Sequence, residues 1–99
     1  MRIRIVTFKL NGIDEGEYLA MTEAIAPAIA EWPGLRSKTW LADPASNTYG
    51  GVYLFDSTEA ADASRHTEIW HQMHTSPVFA DLSVTEFGTI EAATALTSS

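Results

Sequence analysis

PGLRSKTWLADPASNTYGGVYLFD, residues 33–56, reads as two β-strands joined by a short turn. The strands are predicted over Leu35–Asp43 and Thr48–Phe55, with Pro44-Ala45-Ser46-Asn47 between them. Turn-forming residues set between two runs rich in Thr, Trp, Val, Tyr and Phe are a hairpin signal. Leu35, Ser37, Thr39 and Leu41 alternate with Arg36, Lys38, Trp40 and Ala42. In the second strand Gly51, Tyr53 and Phe55 alternate with Gly50, Val52 and Leu54. A Gly50-Gly51 pair inside a strand marks a bulge or a close backbone approach.

One strand and one helix fall on each side of this hairpin. Upstream, Arg2 to Leu10 (RIRIVTFKL) is rich in β-branched and aromatic residues. Ile3, Ile5, Thr7 and Lys9 share one face, and Arg4, Val6, Phe8 and Leu10 the other. Neither face is purely polar, which predicts a sheet covered on both sides. Asn11-Gly12 ends the strand. Asp14 with Glu17 three residues on is a capping-box start. Tyr18, Ile25, Ile29 and Trp32 recur at helical spacing, so a first helix is predicted from Glu15 to Trp32, kinked or divided at Pro27.

Downstream, Asp56 with Glu59 predicts the opening of a second helix, with Ala63, His66, Trp70 and Met73 on its inward side. Ser76-Pro77 ends it. Val78 to Gly88 contains a fourth strand. Thr89 to Ser99 is Ala- and Thr-rich without an apolar stripe. The domain is therefore expected to span 1–90, with 91–99 as a C-terminal tail, loose or laid on a partner.

The order β-α-β-β-α-β is the ferredoxin-like split unit. It predicts an α+β fold with a four-stranded antiparallel sheet and both helices on one face. The open face is expected to carry residues such as Trp40, Tyr53, Phe55, Phe8 or Phe87, according to register. An apolar face of that size marks an interface or a pocket. The simplest closure is a homodimer in which two sheets meet as a dimeric α+β barrel.

Composition narrows the function. Ninety-nine residues make one domain with a modest core. A net charge of −7 opposes binding to phosphate backbones, and the six basic residues form no stripe on a helix. No nucleic-acid partner is expected. The chain has no cysteine, which excludes disulfides and thiolate chemistry. The first residues form no apolar h-region and no run is long enough to span a bilayer, so no membrane partner and a cytoplasmic location are expected. No glycine-rich loop opens a helix.

With the hairpin in place, the sequence resembles the YdhR-type putative mono-oxygenase family, dimeric α+β barrels related to the antibiotic-biosynthesis mono-oxygenases. The likeness rests on Phe8 to Gly12 (FKLNG), Pro33-Gly34 with Lys38 and Trp40, Gly50 to Phe55 (GGVYLF), and Arg65-His66-Thr67. It implies a barrel pocket for a small aromatic or polyphenolic ligand and a mono-oxygenase that uses no flavin, metal or haem.

Five residues are the candidates for such a site. His66, whose ordinary pKa lies near neutrality, suits a base; its alternative is a buried histidine bonded to backbone. Lys38 and Tyr53 suit donors to a developing anion, and Trp40 and Phe55 suit ring walls. The alternatives are a core role for the aromatics and a rim charge for Lys38. His71 and His74, three apart with Glu68 a turn before, have metal-ligand spacing but no third ligand, and no metal site is assigned. The function expected is a cofactor-independent mono-oxygenase. The alternatives are a non-catalytic binder of apolar ligands, a haem-binding or haem-degrading barrel, and a purely structural dimer.

Overall fold

The structure is a computed structural model that describes residues 1–98. Four strands, β1 (Arg2–Leu10), β2 (Leu35–Asp43), β3 (Thr48–Phe55) and β4 (Phe79–Gly88), form an antiparallel sheet in the order β2-β3-β1-β4. The helices are α1 (Glu15–Ala30), α2 (Thr58–Ser64), α3 (Glu68–Thr75) and α4 (Glu91–Thr97).

The hairpin forms as read. Its turn is a single 3₁₀ turn at Pro44–Ser46, closed by Asn47 in the left-handed region at φ 50°. Asparagine tolerates that conformation. Ser46 Oγ donates to the Asp43 carboxylate at 2.8 Å, and Asn47 Nδ2 donates to the Leu10 carbonyl at 3.0 Å. The turn is thereby tied to the end of β1.

The start of α1 is a capping box. The Asp14 carboxylate accepts from the Glu17 amide at 2.8 Å, and the Glu17 carboxylate accepts from the Asp14 amide at 3.2 Å. The helix runs through Pro27 without dividing and stops at Ala30, short of Trp32. Trp32 is nonetheless buried, held by a 3.0 Å bond from its amide to the Ile29 carbonyl.

The second helix differs from its prediction. It is two helices, broken at Arg65–Thr67. Ser57, not Asp56, caps α2 by accepting from the Ala60 amide. Thr67 opens α3 by accepting from the Trp70 amide. A stripe drawn through one continuous helix therefore does not hold, and His66 falls in the break, exposed. Residues 91–97 of the expected tail are helical as α4, with Ile90 and Leu96 exposed. Ser99, its last residue, lies outside the described residues.

Helices α1, α2 and α3 pack on one face of the sheet. The core there joins Val6, Phe8, Tyr49, Tyr53 and Phe55 of the strands to Tyr18, Ile29, Trp32 and Ala61. Of the five aromatics named for the open face, only Phe87 lies there. Phe8, Trp40, Tyr53 and Phe55 share the helix-covered face, because Val6 pairs with Gly51 and Trp40 also pairs with Gly51. The face without helices carries Ile3, Ile5, Val52, Leu54 and Phe87. Within one chain, then, the sheet is covered on one side only.

Candidate functional site

A cavity of about 250 Å³ lies on the helix side of the sheet. Helix α1 contributes Tyr18, Met21, Ile25 and Ile29, and α3 contributes Ile69, Gln72 and Met73. The strands close it with Val6, Phe8, Phe79 and the backbone of Gly50 and Gly51. Lys38, Trp40 and Tyr53 complete the wall. Side-chain polar groups are few: one amine, two phenols, one indole and one amide. No carboxylate lines it. A mostly apolar hollow with a few convergent polar groups is the usual form of a small-molecule site.

Why the hollow exists follows from local sequence. At Gly50, with φ 152°, a Cβ would overlap the Val6 carbonyl of β1. The close approach expected from the Gly50-Gly51 pair is thus real. At Gly51 a Cβ would stand 2.6 Å from Lys38 Cε. The missing side chain leaves a trough in β3, and Lys38 of the edge strand β2 lies across it.

Lys38 Nζ sits 3.3 Å from the centroid of the Trp40 ring and 4.5 Å from that of Tyr53. Ring faces attract a cation. They do not replace water or a counter-ion, and burial lowers the Lys38 pKa to about 7. Near neutral pH a large share of these amines carries a free lone pair.

Tyr53 is buried, yet no group of the described residues hydrogen-bonds its hydroxyl. It is also absent from the fully buried unpartnered polar atoms, of which Arg2 Nε is the sole case among the described residues. The phenol oxygen therefore keeps some accessible surface, as does that of Tyr18, and both residues line the cavity. Burial raises both phenols to about 12, so both stay protonated donors. Tyr53 is held in orientation by Trp32 and Phe55, each stacked with it at 6.0 Å between centroids, with interplanar angles of 9° and 3°.

Behind this stack is a cluster that the sequence reading did not single out. Arg4 is completely buried. Its guanidinium donates to Glu86 Oε2 at 2.7 Å, to Ser64 Oγ at 2.8 Å and to the Ala61 carbonyl at 2.8 Å. It lies over the rings of Trp70 at 4.3 Å and Phe55 at 4.9 Å. Arg65 also donates to Glu86 Oε2. Burial pushes the Glu86 carboxyl up, but bonds from Arg4 and Arg65 outweigh it and hold the pKa below the usual range. The signal was present: Arg4 has the parity of Val6 and Phe8, and a charge on an apolar strand face needs a buried partner.

Of the five predicted residues, the fold brings Lys38, Trp40 and Tyr53 together at the cavity. Phe55 lies behind Tyr53, fully buried against Arg4, and does not line it. His66 is exposed between α2 and α3 and does not line it either. His71 and His74 are exposed on α3; His74 Nδ1 is 2.9 Å from the Trp70 carbonyl. No cluster of three metal-ligating side chains exists among the described residues. No imidazole lines the cavity. Among the described residues, no helix is long and apolar enough to cross a membrane.

The chain belongs to a mono-oxygenase family: the model described as "Putative mono-oxygenase ydhR" matches residues 3–99. Solved structures with the same fold include SnoaB, a cofactor-independent oxygenase from Streptomyces nogalater. It is 15% identical, with a TM-score of 0.73 over 90% of this chain and 92% of that one. MhuD, a haem degrader from Mycobacterium tuberculosis, is 19% identical, with a TM-score of 0.71 over 91% of this chain and 96% of that one. A putative antibiotic biosynthesis monooxygenase from Nitrosomonas europaea is 13% identical, with a TM-score of 0.75 over 91% and 99%. At these identities the likeness is one of fold. No protein of curated function matches the chain by sequence.

Proposed function

We propose that the chain is a cofactor-independent mono-oxygenase acting on a small aromatic or polyphenolic substrate held between the helices and the sheet. One observation carries the reading: the Lys38 amine stands without a counter-ion in an apolar cavity, between an indole and a phenol that line the same space.

In this mechanism Lys38, as the free amine, takes a proton from a phenolic or activated C–H group of the substrate. The ammonium so formed, with the Tyr53 hydroxyl, holds the developing anion. The anion delivers electrons to O₂. For a methylene carbon, one oxygen atom ends as the product carbonyl and the other as water, with the substrate losing two hydrogens. The trough at Gly51 sets the amine's position, and the Trp32–Tyr53–Phe55 stack sets that of the phenol. The apolar walls keep water from the anion. His66 has no part here, since it is exposed away from the cavity.

The working unit in this proposal is a homodimer, two chains meeting through the faces that carry Ile3, Ile5, Val52 and Leu54. The support is the apolar character of that face and the lack of a helix over it. The cavity is then not the lumen between two sheets. It is a hollow in each chain, on the other side of the sheet.

Oxygen uptake with anthrone-type and polyphenolic compounds tests the reaction. The expected result is uptake with at least one of them, lost in Lys38→Met. Uptake that survives in Lys38→Met overturns the role of Lys38, and no uptake with any compound of the class overturns the oxygenase reading.

A further inference from the structure

The chain has two lysines, and they are placed in opposite ways. Lys9 is exposed, and its ammonium donates to the Ser46 carbonyl at 2.8 Å. Lys38 Nζ faces the cavity and makes no hydrogen bond or ion pair with any described residue; its nearest neighbours are ring faces. The cavity around it holds no carboxylate that would fix the amine as an ion pair. Tyr53, its hydroxyl free of partners among the described residues, lines the same space.

An unpaired amine beside a phenol in an apolar hollow is an arrangement that suits imine formation. We infer that Lys38 captures aromatic aldehydes or ketones as an imine. The amine lone pair adds to the carbonyl carbon, forming the C–N bond, and the C=O pair moves to oxygen, which takes a proton. The carbinolamine so formed loses that oxygen as water, a second proton arriving on it, and the nitrogen pair closes C=N. No oxidant or reductant takes part. Tyr53 supplies a proton to the departing oxygen and regains one from the nitrogen. Trp40 and the α1 side chains Ile25 and Ile29 hold the arene, which sets the ligand class: one or two fused rings bearing an accessible carbonyl, at the scale of a cavity of about 250 Å³.

This inference rests on the cavity proposed above as the ligand site, but not on oxygen chemistry. Burial lowers the Lys38 pKa to about 7, which supports it by leaving free amine at neutral pH.

The test uses the full chain with benzaldehyde and sodium cyanoborohydride in oxygen-free buffer near neutral pH, read by intact mass and peptide mapping. Lys38 is expected to gain the benzyl group about tenfold faster than Lys9, a preference set by the free-amine fraction and by the cavity walls. Excess 2-naphthol, an arene without a carbonyl, is expected to slow Lys38 and leave Lys9 alone. In urea the two lysines are expected to react alike. Labelling of Lys9 as fast as Lys38 in the folded chain overturns the inference, as does a preference that survives unfolding. Because oxygen is absent, Lys38 labelling without any oxygen uptake elsewhere sinks the oxygenase reading alone, and uptake without labelling sinks the imine alone.

Discussion

Gly51 is empty where Lys38 lies: a Cβ built on Gly51 would stand 2.6 Å from Lys38 Cε, inside any real carbon contact. The far end of a lysine is flexible and can move aside. Gly51→Ala is therefore expected to fold, with a loss of roughly 1 kcal/mol or less in urea unfolding. The displaced amine no longer rests between Trp40 and Tyr53. Oxygen uptake and benzaldehyde trapping at Lys38 are expected to fall about tenfold while the Lys9 label is unchanged. Full activity in a well-folded Gly51→Ala would mean that the trough does not position the amine.

Its neighbour makes the contrast. Gly50 has φ 152°, and its would-be Cβ collides with the Val6 backbone, which cannot step away without breaking the β1–β3 ladder. Gly50→Ala is expected to cost about 3 kcal/mol or more, seen as a large drop in thermal midpoint. A midpoint near that of the unmodified chain would show that the two strands have slack at this point.

Lys38 also predicts how the protein responds to pH. Facing the amine are the phenols of Tyr53 on β3 and Tyr18 on α1; α3 presents only Ile69, Gln72 and Met73, and no carboxylate lines the space. The Arg4 guanidinium lies beyond, 5.8 Å from the centroid of the Tyr53 ring. With the folded pKa lowered to about 7, the unfolded chain binds the extra proton between about 7 and 10.4. Stability therefore rises with pH across that window, by up to roughly 4 kcal/mol. Tyr18 and Tyr53, held at about 12, act oppositely above pH 10. Lys38→Met is expected to flatten the rise and to be more stable than the unmodified chain below pH 7. The rate of the proposed reaction is expected to climb through pH 7 as the amine deprotonates. A flat stability profile between 7 and 10 in the unmodified chain would show that the amine is solvated.

How much of this was legible beforehand differs by element. The hairpin, the Asp14–Glu17 capping box and the bounds of β1 were open to view because local chemistry decides them. The break in the second helix was hidden. Ser57 and Thr67 are ordinary cap residues, but the Asp56–Glu59 pair looked like a better one, and the run from Ala63 to Met73 keeps helical spacing through the break. His66 was misplaced for that reason. Strand parity was readable, but not which parity the helices cover: Ile3 and Ile5 are as apolar as Val6 and Phe8, so either face could serve as core. That ambiguity sent Trp40 and Tyr53 to the wrong side of the sheet while keeping them correctly with Lys38. The Arg4–Glu86 pair depends on the β1–β4 register, which local sequence does not express.

Arg4, fully buried, has Glu86 as its one carboxylate partner among the described residues, while Glu86 also accepts from Arg65. Removing one partner leaves an uncompensated charge in the core, a cost of about 3–5 kcal/mol. Glu86→Gln is expected to lose stability on that scale, and Arg4→Met with Glu86→Leu to recover much of it, both measured in urea. The pH dependence has a definite sign. The folded Glu86 pKa lies below its ordinary value, so its contribution is present above about 4.3 and fades as pH falls below that. If Glu86→Gln cost less than the paired replacement, the cluster would not be held together by charge.

The sheet face without helices gives the last prediction. Leu54 sits on the central strand β3, opposite Ile3 on one side and Ser37 on the other, with Ile5 and Val52 one pair along. Apolar area of this kind gains about 25 cal/mol for each Å² removed from water. A second copy brings an identical patch, and the two can bury each other about a twofold axis. Sedimentation at micromolar concentration is expected to give a dimer for the unmodified chain and a monomer for Leu54→Glu, whose carboxylate would be forced into the middle of the apolar contact. The cavity lies across the sheet from this face, so benzaldehyde trapping at Lys38 is expected to persist in the monomeric variant. A monomeric unmodified chain would remove the dimer from the proposal and leave the cavity untouched. Loss of trapping in a folded Leu54→Glu monomer would instead show that assembly shapes the site from the far side of the sheet.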